Sequence, residues 1–162
     1  MRHTISVLVD NHFGVLARIS GLFSARGYNI ESLCVGTTED ASISRMTVVV
    51  SGDDTVLQQI VNQLNKLVEV IEVLDLTQES PIERELVLAK IKTTPTRRTE
   101  VLEIVNIFRA KTVDVAPNAI IIEATGSEGK VRAFIDMIRP FGIEELARTG
   151  QIALARSRNG NA

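Results

Sequence analysis

The turn over residues 10–14 carries the polar residues whose types and spacing most favour ligand binding. Asn11 offers a donor and an acceptor, and Gly14 lets a ligand approach the backbone without meeting a side chain. The helix predicted to begin near Gly14 or Val15 presents free N–H groups and the positive end of its dipole, which favour a carboxylate. Asn29, at the entry to the next strand, offers the same amide chemistry.

Apolar residues beside these amides are placed to form the walls of a small pocket. Val15 and Leu16 open the predicted helix, and Ile30 follows Asn29. Polar ends and aliphatic walls suit a small zwitterion with an aliphatic side chain. On spacing alone, a plain strand-to-helix connection remains the alternative.

Catalytic and metal-binding chemistry has little support elsewhere in the chain. His12 follows Asp10, but no nucleophile or orienting third group is placed beside it, so general-base catalysis is not favoured. The stretch TGSEGK (125–130) resembles the end of a phosphate loop, yet Val131 stands where a magnesium-binding hydroxyl is needed. The acidic pairs fall in predicted turns or on exposed faces: Glu39-Asp40, Asp53-Asp54 and Glu144-Glu145. We expect no catalytic residue and no metal site.

Composition argues against several classes of function. The 162 residues carry a formal net charge of −2, which does not favour nucleic-acid binding through a basic face. The single cysteine, Cys34, excludes an internal disulfide and a Cys-based zinc cluster, and we interpret it as a small strand residue. No apolar run is long enough for a signal sequence or a membrane span, so we expect a cytoplasmic protein.

The first half of the chain follows the order β-α-β-β-α-β. Alternating apolar residues predict a strand over 4–9, and apolar residues at helical spacing from Val15 to Phe23 predict the helix after the turn. Gly27 suits the left-handed position past a helix end. The remaining predicted elements are strands over 29–36, 44–50 and 70–76, and a helix capped by Asp53 or Asp54.

The second half repeats this order, which predicts an α+β protein of two tandem βαββαβ units. Its predicted elements are strands over 85–91, 112–116 and 119–125, helices after TTPTRRT and Ser127, and two short strands around Thr149-Gly150. RNA-recognition modules share the order but need aromatic residues on the central strands, where this chain has Ile5, Val7, Met46 and Val48.

Apolar residues on both predicted faces of the first sheet indicate that the face opposite the helices is covered. Leu8, Leu33, Val35 and Val49 are assigned to one face, against Ile5, Val7, Val48 and Val50 on the other. A sheet open to water on one side shows a cleaner alternation. We interpret this pattern as a sign of oligomerisation.

Residues 11–33 resemble the signature of the small, regulatory subunit of acetohydroxyacid synthase (acetolactate synthase). They read N-x-x-G-V-L-A-R-I-S-G-L-F-S-A-R-G-Y-N-I-E-S-L, and the likeness continues through SRMT (44–47), QLNKLVEV (63–70), ERELVLAKI (83–91) and TVDV (112–115). The resemblance covers essentially the whole chain. It implies an amino-acid-binding ACT domain over 1–76, a linker over 77–83 and a C-terminal ferredoxin-like domain over 84–162.

The resemblance also implies a function in branched-chain amino-acid biosynthesis. A subunit of this family binds the large catalytic subunit, raises its activity and confers feedback inhibition by valine or another branched-chain amino acid. Thiamine diphosphate, FAD and magnesium would belong to the catalytic partner, and this chain would hold no cofactor. An enzyme acting on amino or keto acids and a free-standing amino-acid sensor are the alternatives, although the chain offers no catalytic set, helix-turn-helix or basic patch.

In this family the effector lies where the ACT domains of a homodimer pair. Carried over, the turn residues of one chain would meet Asn29 and Ile30 of the other; these turn residues are Asn11, His12, Phe13, Gly14, Val15 and Leu16. His12 and Phe13 depart from the smaller or acidic residues expected there. Phe13 would narrow the pocket or pack against the second copy.

Overall fold

The structure, a computed structural model, describes residues 1–157. These residues form two compact units, the first comprising residues 1–82 together with the described residues from Gln151 onward, and the second comprising residues 83–150. Residues 158–162, which the sequence assigns to the second domain, lie outside the described residues. No helix within residues 1–157 is long and apolar enough to cross a membrane.

The first unit has the predicted βαββαβ order. The elements are β1 (Arg2–Asp10), α1 (Val15–Ala25), β2 (Asn29–Thr37), β3 (Ile43–Ser51), α2 (Asp54–Leu64) and β4 (Val70–Asp75). The sheet is antiparallel, with the strand order β2-β3-β1-β4, so β2 and β4 lie at its edges.

Local sequence explains where the helices of this unit begin and what they bury. Val15, Ile19 and Phe23 recur every four residues, so α1 buries one stripe against the sheet. Asp53 caps α2 as predicted, because its carboxylate accepts the Thr55 N–H at 2.8 Å. Gly27 adopts a φ of +72°, the left-handed conformation expected past the end of α1.

The assignment of Leu33 and Val35 to the face opposite the helices is wrong. Leu33 pairs with Val48 and Val35 with Met46, on the face that packs against α1 and α2. A register shift between Ile30 and Ser32 places one extra residue, Glu31, in β2. A bulge of this kind reverses the alternation along the rest of a strand, so the pattern in the sequence points to the wrong face.

Part of the opposite face of the first sheet is nevertheless buried within the single chain. Thr4, Ser6, Thr47 and Val49 are each no more than 6% exposed. The described residues from Gln151 onward belong to the same unit and include the short strand β9 (Ile152–Leu154), which lies beside β1. The burial of these four residues therefore does not require a second copy, and oligomerisation stays a prediction.

The second unit repeats the βαββαβ order. Its elements are β5 (Ile82–Lys92), α3 (Arg98–Ile107), β6 (Lys111–Ala116), β7 (Ala119–Gly126), α4 (Glu128–Ile138) and β8 (Ile143–Arg148). The strands β6-β7-β5-β8 lie in that order in an antiparallel sheet. The core is an apolar cluster between that sheet and the two helices. Ser127 caps α4, as the sequence predicts.

The last predicted strand, β9, pairs with β5 and so belongs to the second sheet, in line with the sequence assignment of residues from 84 onward. The residues from Gln151 onward nevertheless group with the first unit. The backbone N–H of Gln151 donates to Ser32 Oγ at 2.9 Å, and its side-chain oxygen accepts from Arg2 at 3.3 Å.

Candidate functional site

The β1–α1 turn is tied by Asn11 to the connection between β2 and β3. The backbone N–H of Asn11 donates to the Ser42 carbonyl at 2.7 Å, and its side-chain NH₂ donates to the Ala41 carbonyl at 2.9 Å. Asn11 therefore uses a donor inside its own chain to hold the turn. This places the turn at the end of the sheet where β2 finishes and β3 begins.

The β2–β3 connection, which the sequence presents only as a polar turn, is itself held by short hydrogen bonds. The Asp40 carboxylate accepts from the Ser42 N–H at 2.9 Å and from the Ser42 hydroxyl at 2.6 Å. These bonds lower the pKa of the Asp40 carboxyl. They fix the Ser42 carbonyl to which Asn11 donates, so an Asp two residues before a Ser is the local signal for this part of the site.

The start of α1 is open to a ligand. Gly14 adopts a φ of +85°, and a Cβ added there would meet no atom within 4 Å. No side chain caps this helix and its first turn holds no acidic residue, whereas Asp53 caps α2 and Ser127 caps α4. The first-turn N–H groups of α1 thus present uncompensated positive potential beside a glycine.

The apolar residues proposed for the pocket lie in different environments. Val15 is 5% exposed and packs in the core, whereas Leu16 is 46% exposed. Phe13 is fully exposed at the tip of the turn. His12 is also exposed, and its Nδ1 lies 3.2 Å from the Phe13 carbonyl oxygen, an arrangement that gives no support to general-base catalysis.

Asn29 and Ile30 lie at the opposite end of the sheet from the turn. Asn29 pairs with Ser51 at one end of β3, and Asp10 pairs with Ile43 at the other. The two positions on β3 are eight residues apart in sequence, which corresponds to about 27 Å at the usual rise of an extended strand. One chain therefore does not bring the two groups of predicted site residues together.

Glu31, in the bulge of β2, anchors the strand beside Asn29. Arg2 Nε donates to its carboxylate at 3.0 Å, and the Ser51 hydroxyl donates to the other carboxylate oxygen. The bond from Ser51 is the largest cause of a lowered pKa at Glu31, and Arg2 adds to it. Sequence spacing contains no signal for this contact, because 29 residues separate Arg2 from Glu31.

The TGSEGK stretch forms a strand-to-helix turn. Lys130 Nζ donates to the Thr125 carbonyl at 3.0 Å, so the ammonium group is turned back onto its own loop. Gly126 is buried, and a Cβ there would lie 2.5 Å from Lys130 Cδ. Among residues 1–157, no group of three or more His, Cys, Asp or Glu side chains is arranged to hold a metal ion.

Two family descriptions match the chain, one over its first half and one over its second. "AHAS small subunit-like ACT domain" matches residues 5–72, and "Small subunit of acetolactate synthase" matches residues 84–157.

Relatives match over nearly the full length. The probable acetolactate synthase small subunit of Archaeoglobus fulgidus is 58% identical over 156 residues, which are 96% of this chain and 98% of the relative. The acetolactate synthase small subunit of Mycobacterium bovis is 49% identical over 158 residues, which are 98% of this chain and 94% of the relative.

A solved structure has the same fold. The crystal structure of the acetolactate synthase small subunit from Thermotoga maritima superposes with a TM-score of 0.89 at 40% identity, covering 98% of this chain and 99% of that one.

Proposed function

The chain belongs to the acetolactate synthase small-subunit family, and we propose that it binds a branched-chain amino acid between two copies of itself and thereby regulates the large catalytic subunit. This proposal depends on the positions of the β1–α1 turn and of Asn29 and Ile30, which lie at opposite ends of one sheet, along its edge strand β2. A pocket built from both groups needs a second chain.

Antiparallel pairing of β2 with β2 of a second copy would supply that pocket. A two-fold axis through the middle of the paired strands places the start of one β2 next to the end of the other. The β1–α1 turn lies at the end of β2, because Asn11 is bonded to Ala41 and Ser42 in the following connection. Asn29 and Ile30 of the second copy would then face the turn, and the symmetry would create two equivalent pockets.

Each part of such a pocket has a distinct role. Gly14 and the first-turn N–H groups of α1 would hold the effector carboxylate. Asn29 of the second copy would form hydrogen bonds with the polar groups of the effector. Leu16 and Ile30 would contact the aliphatic side chain. One methylene in an apolar pocket changes binding by about 1–3 kcal/mol, so leucine and isoleucine should bind more weakly than valine.

We propose that the chain has no active site of its own. It would activate the large subunit and confer feedback inhibition on it in the cytoplasm, while thiamine diphosphate, FAD and magnesium stay with that partner. Support comes from the small-subunit family membership.

Calorimetric titration of the purified chain with L-valine, leucine, isoleucine and alanine tests the proposal. We expect saturable valine binding to the dimer, and valine inhibition of synthase activity when the large subunit is added. Absence of binding by a folded, dimeric sample would contradict the proposed pocket. Valine binding with no effect on the synthase would instead indicate a free-standing sensor.

A further inference from the structure

Four residues of the first unit connect the start of β2 to the chain that returns from β8. Arg2 donates to the Glu31 carboxylate at 3.0 Å and to Gln151 Oε1 at 3.3 Å. The backbone N–H of Gln151 donates to Ser32 Oγ at 2.9 Å. We name Arg2, Glu31, Ser32 and Gln151 the Gln151 network. Its members on β2 lie two and three residues from Asn29, in the half of the proposed pocket that a second copy would contribute.

Gln151 is the buried member of this network. The residue is 2% exposed, and within residues 1–157 its side-chain NH₂ has no hydrogen-bond partner. A buried donor without a partner raises the free energy of the arrangement that contains it. A movement of β2 that gave this donor a partner would lower that free energy.

The chain on the other side of Gln151 is equally well anchored. Thr149 donates its N–H to the Leu86 carbonyl of β5 at 3.0 Å, and its hydroxyl accepts the Leu86 N–H at 3.1 Å. Only Gly150, with a φ of +80°, separates this anchor in the second unit from Gln151. Two peptide bonds thus join Gln151 to a residue that is hydrogen-bonded to β5.

We propose that the Gln151 network transmits effector occupancy at the start of β2 to the second unit, with Gln151 as the positioning residue. The inference rests on the proposed function, because it assumes an effector beside Asn29. A ligand changes the position of β2 only by binding one position more tightly than another. Here the difference would arise from the position of β2, which Arg2 and Ser32 relay to Gln151.

Gln151→Met tests this role, because methionine keeps the length of the side chain and removes its hydrogen bonds. Gln59→Met, on the exposed surface of α2, is the matched control. Both variants would be titrated with L-valine and assayed with the large subunit at saturating L-valine. We expect the affinity of Gln151→Met for L-valine to stay within about twofold of that of the parent chain. We expect the change in synthase activity caused by L-valine to be at least about fivefold smaller than with the parent chain. The control should keep both properties.

Hydrogen exchange on the unaltered chain provides a measurement that does not depend on the variant folding. We expect L-valine to slow amide exchange over residues 149–154 as well as in the β1–α1 turn. Protection confined to the turn and β2, or full inhibition of the Gln151→Met holoenzyme with unchanged affinity, would overturn the inference. Failure of the unaltered chain to bind L-valine would refute the proposed function, and this inference with it, whereas binding and inhibition without a response at 149–154 would refute the inference alone.

Discussion

Replacing Gly14 by Asp places a carboxylate where the proposed effector carboxylate binds. A Cβ at Gly14 would meet no atom within 4 Å, so the new side chain has room. The backbone cost comes from the φ of +85°, and it is about 1–2 kcal/mol for most residues but smaller for Asp and Asn, which tolerate this conformation. Typical domains are stable by about 5–15 kcal/mol, so the variant should fold.

The expected loss of binding follows from the repulsion between the two carboxylates. At a separation of about 5 Å and an effective dielectric constant between about 20 and 80, two like charges repel by about 1–3 kcal/mol. That range corresponds to roughly 5- to 150-fold weaker binding. The new carboxylate would also accept the first-turn N–H groups of α1, which no side chain caps in the parent chain.

Gly14→Asn is the matched control, because asparagine has the same shape as aspartate without its charge. Calorimetry with L-valine and synthase assays with the large subunit would be carried out on both variants. We expect Gly14→Asp to activate the synthase but to lose inhibition by valine, and Gly14→Asn to retain measurable binding. Full valine sensitivity in Gly14→Asp would refute the placement of the carboxylate, and an equal loss in both variants would refute its electrostatic basis.

Three further changes test other parts of the site. Asn11→Ala removes the bond to the Ala41 carbonyl, so we expect about 0.5–1.5 kcal/mol lower stability by urea denaturation and weaker valine binding by calorimetry. Phe13→Ala should alter the free energy of unfolding of the monomer by less than about 0.5 kcal/mol, because the ring is fully exposed. A raised dimer dissociation constant in ultracentrifugation would place Phe13 in the interface, and an unchanged constant would place it outside. Glu31 has a pKa lowered chiefly by Ser51, so its stabilising effect should be present above its ordinary pKa of 4.5 and lost as the pH falls through the lower folded value. Urea midpoints measured from neutral to acidic pH should therefore fall less steeply for Glu31→Gln than for the parent chain, and identical curves would contradict this.

Local features of the fold were predictable because their causes lie within a few residues. The stripe of Val15, Ile19 and Phe23 predicts α1, and the Asp53 and Ser127 caps mark the starts of α2 and α4. The βαββαβ order in both units follows from the same periodicities and is confirmed by the structure. The TGSEGK turn was also predictable, since its spacing departs from that of a phosphate loop.

Other features depend on contacts between residues far apart in the chain. The bulge at Glu31, which turns Leu33 and Val35 toward the helices, leaves no mark on the alternation of apolar residues. The contact between Asn11 and Ala41 and the contact between Gln151 and Ser32 join segments separated by 30 and 119 residues. No periodic pattern encodes such pairs, so the β2–β3 connection and the Gln151 network were not predicted.

The sequence by itself determined the element order, the helix caps and the chemistry of the turn, because hydrophobic periodicity, capping and glycine conformation are local properties of the chain. Only the tertiary structure decided that Asn11 and Asn29 lie at opposite ends of one sheet, and that the chain beyond Gln151 packs with the first unit. Strand register and long-range hydrogen bonds set these positions, and they are established only when distant segments pack together.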